Sequence, residues 1–338
     1  MGADTDRRGF LLLSGKETAE LADAWAAVPT EKIIDASGGG TVDTEVATWV
    51  ENRIHQLWHL DDLVGGDYFL HLAQADLRLI ARLLQGGRYR SEIKRRLYGA
   101  AGELLRFAGW CAFDGDRHAA AARYWHAGLR TSAAGGDTLT GAYILSLMAM
   151  QHTYAGDGRA AINLLHTARE RIGPGAPRTV HAMLDAWQVR AHAVVGESRQ
   201  AVEVLFRADG HWGHRDPDED PPWIYWMRQP SHTIEVGAGF VQLGRPDIAV
   251  RLLEEGMACR GIDYTRDTVL GLTAIADAQL GQDDLDGALD TARRAVELVT
   301  DVDSNRVADQ LNAFALRLPA GEAHAEEFRT CLDALSRN

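Results

Sequence analysis

Along this 338-residue chain a glycine is followed five residues later by an alanine, four further on by a large residue, and three beyond that by a small one. The copies are Gly115/Ala120/Tyr124/Ala127, Gly156/Ala161/Leu165/Ala168, Gly196/Ala201/Leu205/Ala208 and Gly244/Ala249/Leu253/Gly256. A looser fifth copy, Ala288/Ala292/Ala295, has Gly281 seven residues before its first alanine. Glycine takes up the left-handed backbone that ends a helix at no steric cost, and small residues at this spacing let the next helix pack closely. Each copy predicts a helix hairpin. Five copies predict an all-α, tetratricopeptide-like superhelical solenoid of antiparallel hairpins.

Apolar residues recur at three- and four-residue spacing over 42–64, 67–85 and 91–113, and no stretch alternates long enough to compete as a strand. Gly86-Gly87, Gly115-Asp116, Gly135-Gly136, Gly156-Asp157, Gly173-Pro174, Gly196-Glu197, Gly244-Arg245 and Gly281-Gln282 read as helix stops, implying helices of three to five turns. The alanines that open successive copies lie 41, 40, 48 and 39 residues apart, longer than the tetratricopeptide unit of about 34 residues. The residue pattern nevertheless favours that unit: Phe107, Ala108, Gly115, Ala120, Tyr124 and Ala127 match its large, small, turn, small, aromatic and small positions, and Met148, Ala149, Gly156, Ala161, Leu165 and Ala168 repeat them. An insertion over 209–230 accounts for the longest spacing: Asp216-Pro217-Asp218-Glu219-Asp220-Pro221-Pro222, then Trp223-Ile224-Tyr225-Trp226, with Pro230 in the first turn of the next helix. The expected organisation is an N-terminal extension over 1–40 ending in the glycine linker Ser37-Gly38-Gly39-Gly40, then the solenoid over 41–336.

The net charge of -13 offers no electrostatic footprint for nucleic acid. Cys111, Cys259 and Cys331 are odd in number and far apart in apolar contexts, as expected of reduced, buried thiols in a cytoplasmic protein. Arg7-Arg8-Gly9-Phe10-Leu11 looks like a twin-arginine signal, but Ser14-Gly15-Lys16-Glu17 cuts its apolar stretch short, and no segment has the uninterrupted apolar length of a membrane span.

The segments 108–129 (AGWCAFDGDRHAAAARYWHAGL), 149–165 (AMQHTYAGDGRAAINLL), 220–226 (DPPWIYW) and 304–311 (SNRVADQL) carry a resemblance. In them the chain resembles the tetratricopeptide sensor region of actinobacterial, XRE-type regulators with an N-terminal helix-turn-helix DNA-binding domain. The resemblance covers about 42–335 and implies signal recognition coupled to transcriptional control. Forty residues ahead of the array cannot hold such a DNA-binding domain, so direct DNA binding is not carried over. The resemblance leaves two readings, a stand-alone sensor whose output passes to a separate DNA-binding protein, or a chain whose DNA-binding domain was lost.

Candidate chemistry is sparse. Lys16 lies in a weak likeness of a phosphate-binding loop that lacks its first glycine and its Ser or Thr. His211, His214 and Asp216 could supply metal ligands from one flexible loop, and a metal-assisted enzyme using 211–220 is the alternative reading. His55 and His59 lack the glutamate of a zinc-protease helix. No nucleophile and base pair stands out, so the chain is read as non-enzymatic and without a cofactor.

The concave groove remains, lined by the first helix of each hairpin. Register places Tyr143, Ser146, Met150, Met183, Trp187, Arg190 and Glu235 there, joined by Trp226 and Arg228 from the insertion. These residues suit a peptide, a protein partner or a small signal, with aromatic and methionine contacts and two charges to hold the ends. A structural adaptor using the convex face is a further alternative. Arrays of this kind commonly pair through terminal helices, which leaves a homodimer open.

Overall fold

The computed structural model describes residues 29–64, 68–258, 265–299 and 304–335. The twin-arginine and Lys16 segments and Cys259 lie outside the described residues. The helices are α1 (Thr30–Ser37), α2 (Thr44–Val64), α3 (Tyr68–Gly86), α4 (Ser91–Asp114), α5 (His118–Gly135), α6 (Thr138–Tyr154), α7 (Gly158–Ile172), α8 (Arg178–Val194) and α9 (Ser198–Gly213). After two 3-10 turns (Pro217–Glu219 and Pro222–Ile224) come α10 (Gln229–Gln242), α11 (Pro246–Ala258), α12 (Thr265–Leu280), α13 (Leu285–Val299), α14 (Asn305–Arg317) and α15 (Ala323–Leu335). The fold is all-α: antiparallel hairpins α4/α5, α6/α7, α8/α9, α10/α11 and α12/α13 stack in sequence, flanked by α1–α3 and by α14/α15. At 24 residues, α4 exceeds the five-turn limit expected from the glycine stops.

The hairpin turn is the same in all five copies; it corrects the register of the first and accounts for the loose glycine spacing of the fifth, whose Ala288, Ala292 and Ala295 are buried as the sequence implies. Left-handed residues occur at Asp116, Gly156, Gly196, Gly244 and Asp283, with φ from 59° to 79°. Each stands five positions before a fully buried alanine: Ala121, Ala161, Ala201, Ala249 and Ala288. The amide just after the left-handed residue donates to the carbonyl five residues earlier: Arg117 to Ala112 (2.7 Å), Asp157 to His152 (2.8 Å), Glu197 to His192 (2.9 Å), Arg245 to Phe240 (3.0 Å) and Asp284 to Gln279 (3.1 Å). This is the Schellman bond that satisfies the last carbonyls of a helix. Aspartate is one of the few side chains that tolerates left-handed backbone. In the first copy the packing residues are thus Ala121, Trp125 and Gly128, one position later than the glycine implied, and Tyr124 instead accepts a hydrogen bond from Gln74 Nε2. Trp125 is fully buried against Gly109, where a Cβ would stand 2.2 Å from its Nε1.

At the N-terminal end, Gly38–Gly40 follow α1 as a turn. Arg88 N donates to Gly40 O and Val42 N to Arg88 O, both at 2.9 Å, so this turn is tied to the loop after α3. The irregular stretch within the array is 214–228, because α9 runs on to Gly213 and α10 starts at Gln229. Its Trp223, Ile224 and Met227 are buried in the main core with residues of α4, α6 and α8. Cys111 is buried, which raises its thiol pKa, whereas Cys331 is exposed, contrary to the buried thiol expected there.

Curvature brings the two ends of the array together. Arg266 of α12 reaches Asp61 of α2 and Asp114 of α4, and Arg306 of α14 also reaches Asp114. Asn305 Nδ2 donates to Gly115 O at 3.2 Å and Gln310 Nε2 to Tyr154 Oη at 2.9 Å. No helix among the described residues is long and apolar enough to cross a membrane.

Candidate functional site

Closing the superhelix leaves a cavity of about 350 Å³ on its axis. Its helical wall comes from the even-numbered helices α2 to α14, the inner helix of each pair, and Trp223, Tyr225 and Trp226 of the insertion form one side. Rings dominate the wall. Trp223 stacks on Tyr143 with centroids 4.5 Å apart, Trp226 lies 6.1 Å from the same ring, and Tyr225 stacks on Trp58 at 6.2 Å.

Guanidiniums lie against these rings, and each is paired with a carboxylate. Arg106 lies 4.5 Å from the Tyr143 centroid and 5.5 Å from that of Trp58, with its Nε donating to Glu103 at 3.0 Å. Thr140 Oγ1 holds the other oxygen of Glu103 at 2.8 Å. Arg190 lies 5.0 Å from Trp187 and 5.2 Å from Tyr154, and bonds Glu235 at 2.9 Å. Arg266 and Arg306 both lie against Trp110, at 5.2 and 4.9 Å, and share Asp114. Arg317 pairs with Asp277. Such contacts combine cation–π attraction with charge-assisted hydrogen bonds, which compensate for burying the ions.

Asp62 differs from these paired carboxylates. Its Oδ2 accepts from Tyr225 Oη at 2.5 Å. Burial pushes its carboxyl pKa up to about 6, and the Tyr225 hydrogen bond and Arg266 only partly oppose that rise. Burial likewise raises the Tyr143 phenol to about 12. Around the wall, Trp58 Nε1, Arg190 Nε, Trp226 Nε1, Arg266 Nε and Arg306 Nη2 are buried donors whose hydrogen-bonding capacity is unmet within the chain, and Asp61 Oδ1 is such an acceptor.

Of the residues placed in the groove by register, Tyr143, Met150, Trp187, Arg190, Trp226 and Glu235 line this cavity. Three do not. Ser146 is fully buried and its hydroxyl donates to Tyr143 O at 2.7 Å; the wall position is its neighbour Leu147. Met183 is fully buried in the core that the insertion completes. Arg228 is exposed, with its Nε turned back to Tyr225 O at 3.3 Å.

The suggested metal ligands do not converge. His211 Nδ1 bonds Asp185 at 2.9 Å, His214 Nδ1 bonds Gly210 O at 2.8 Å, and Asp216 Oδ1 caps a 3-10 turn through Asp218 N at 3.0 Å. Among the described residues no group of three His, Cys, Asp or Glu side chains is arranged to hold a metal ion. His55 and His59 lie beside rings, His55 4.8 Å from Trp58 and His59 4.5 Å from Tyr225.

Sequence reasoning missed Trp58, Asp61 and Asp62 on α2 and Arg266 and Arg306 near the other end. Trp110 and Arg306 stand in the segments 108–129 and 304–311 that carried the family resemblance, where a tryptophan and an arginine on inner helices were the available signal. Nothing local pairs residues 205 positions apart, as Asp61 and Arg266 are.

No family model matches the chain, and no curated protein matches it. Among solved structures, it is similar to the crystal structure of the P58(IPK) TPR domain, at 14% identity over 87% of this chain and 83% of that one, with a TM-score of 0.26.

Proposed function

We propose that the protein is a non-catalytic receptor that takes a small ligand into the axial cavity of its superhelix, and that ring closure around the ligand is the signal it passes to a partner in a regulatory pathway. The observation that carries this reading is a ring-lined volume of about 350 Å³ framed by residues from both ends of the array. A volume in this range suits a small molecule or a few residues of peptide, with most of the ligand's surface buried. It does not suit a folded partner, so protein contacts belong on the outside of the array.

The chemistry of the wall supports binding without catalysis. Among the described residues no histidine or cysteine lines the cavity. Its Ser231 hydroxyl donates to Trp226 O at 2.9 Å, away from any base. Asp62, the carboxyl with the raised pKa, is held by Tyr225.

The test exploits the indoles. Five of the nine tryptophans, Trp58, Trp110, Trp187, Trp223 and Trp226, line the cavity, so filling it changes intrinsic emission. A library of cavity-sized compounds screened by tryptophan emission and thermal shift is expected to yield saturable, one-to-one binders. Ala274→Trp fills the wall from α12 and is expected to abolish that binding, whereas Phe206→Ala, at a residue exposed on α9, retains it. Binders unaffected by Ala274→Trp would place the site elsewhere and end this reading.

A further inference from the structure

Resting on the receptor reading, we infer that the cavity's ligand is an organic cation, a protonated amine on an apolar body, seated with its charge on Asp62 among the rings of the insertion. Asp62 lines the cavity and is only partly buried. Its Oδ2 accepts from Tyr225 Oη, and among the described residues its Oδ1 accepts no hydrogen bond; unlike Asp61 Oδ1, it is not sealed from solvent. The unmet donors of the wall, from Trp58 Nε1 to Arg306 Nη2, are sealed and make no demand on a ligand. The rings sort by partner. Trp58, Trp110, Tyr143, Tyr154 and Trp187 each have a guanidinium against them, and among the described residues Tyr225 and Trp226 have none. Both are partly exposed and line the cavity, and Tyr225 holds Asp62. Aromatic rings beside a carboxylate suit an ammonium through cation–π attraction as well as charge.

Charge balance points the same way. Arg106, Arg190, Arg266, Arg306 and Arg317 line the cavity, and their partners are Glu103, Glu235, Asp61, Asp114 and Asp277. Those charges cancel one for one, and Asp62 and Asp267 add negative charge to the wall beyond them. Arg266 draws on Asp62 but already donates to Asp61 and Asp114, while Asp61 and Asp267 oppose the ionisation of Asp62. Burial therefore holds the Asp62 carboxyl up at about 6. An ammonium beside Oδ1 supplies countercharge to a carboxylate that folding has already desolvated. An anion would face Asp62 and Asp267, and could reach an arginine only by displacing its carboxylate. Among the described residues no three ligating side chains are arranged for a metal ion, so the cation is organic. Leu147, Met150 and Ile234 receive its apolar body.

Three naphthalene compounds of matched size separate the possibilities: 1-naphthylmethylamine, a cation near neutral pH; 1-naphthalenemethanol, its neutral counterpart; and 1-naphthoate, an anion. Each is titrated calorimetrically into the wild-type chain at about pH 7.5, where the amine is protonated and Asp62 ionised. The amine is expected to bind one-to-one and on the order of tenfold more tightly than the alcohol, with naphthoate weakest. Asp62→Asn is expected to weaken the amine about tenfold and to leave the alcohol unchanged, whereas Asp62→Glu, which keeps the charge, retains the preference for the amine. Ala274→Trp, which fills the cavity, is expected to remove the binding of all three.

Alcohol or naphthoate that binds the wild type as tightly as the amine overturns the cation inference and leaves the receptor reading standing. A preference for the amine that survives Asp62→Asn overturns the seat at Asp62. Amine binding that survives Ala274→Trp lies outside the cavity and overturns both readings. If none of the three saturates the wild type, the receptor reading falls with the inference.

Discussion

Asp116 and Asp283 do at two turns what glycine does at Gly156, Gly196 and Gly244, and the difference can be measured. Gly156 and Gly196 have positive φ and open space where a Cβ would stand, so replacing either by alanine tests backbone strain alone. Gly196→Ala is expected to cost about 1 kcal/mol in urea unfolding, while Asp283→Gly is expected to be neutral or to gain a few tenths. The five-residue interval between left-handed turn and buried alanine is legible in sequence wherever glycine marks the turn. Where aspartate marks it, a glycine-based register slips, by one residue at Gly115 and by two at Gly281. Composition alone does not reveal which of Gly115 or Asp116 is left-handed, because both can adopt that conformation.

Between elements, a charge cluster away from the cavity joins α7, α8 and α9. Asp185 is fully buried and accepts from Arg169, from Arg207 at 2.7 Å and from His211 at 2.9 Å, with His181 stacked 5.0 Å from the His211 ring. Burial and the neighbouring Arg169 push both imidazoles down to about 4, and a neutral His211 still donates to Asp185, whose charge the two arginines already meet. The unfolded chain therefore binds protons on these histidines between about pH 6.5 and 4 that the folded chain does not, and this contribution to stability falls as pH falls through that window. Asp62 runs the other way. Its folded pKa near 6 exceeds the 3.8 of an exposed carboxyl, so its contribution is present below 3.8 and lost as pH rises through 6. Urea unfolding across pH 4–7 is expected to show a shallower acid loss in His181→Gln/His211→Gln than in wild type, and a relative gain at pH 7 in Asp62→Asn. Asp185→Asn leaves the arginines uncompensated and is expected to cost about 2 kcal/mol, less than a fully buried pair because Arg169 and Arg207 reach solvent. Periodicity made these helices predictable one by one, but which polar faces would meet depended on how each hairpin stacks on the next.

For the whole molecule, the contacts of Asp114 with Arg266 and Arg306 fasten the ring. Asp114 is 1% exposed, so Asp114→Asn removes a buried charge shared by two guanidiniums and is expected to cost about 3–5 kcal/mol. Small-angle X-ray scattering should show an increased radius of gyration, and an unchanged radius would mean that the ring is held by packing alone. The sequence by itself established the all-α class, the inner helix of each hairpin and six of the cavity's residues, because helical pitch and turn chemistry act over a few residues and repeat. It did not reveal that the groove closes into a cavity, that Asp61, Asp62, Arg266 and Arg306 face it, or that Ser146, Met183 and Arg228 do not. Those outcomes depend on curvature summed over successive hairpins, which brings α2 and α4 against α12 and α14 and folds the 214–228 segment against the inner wall. Local spacing carries no record of that sum.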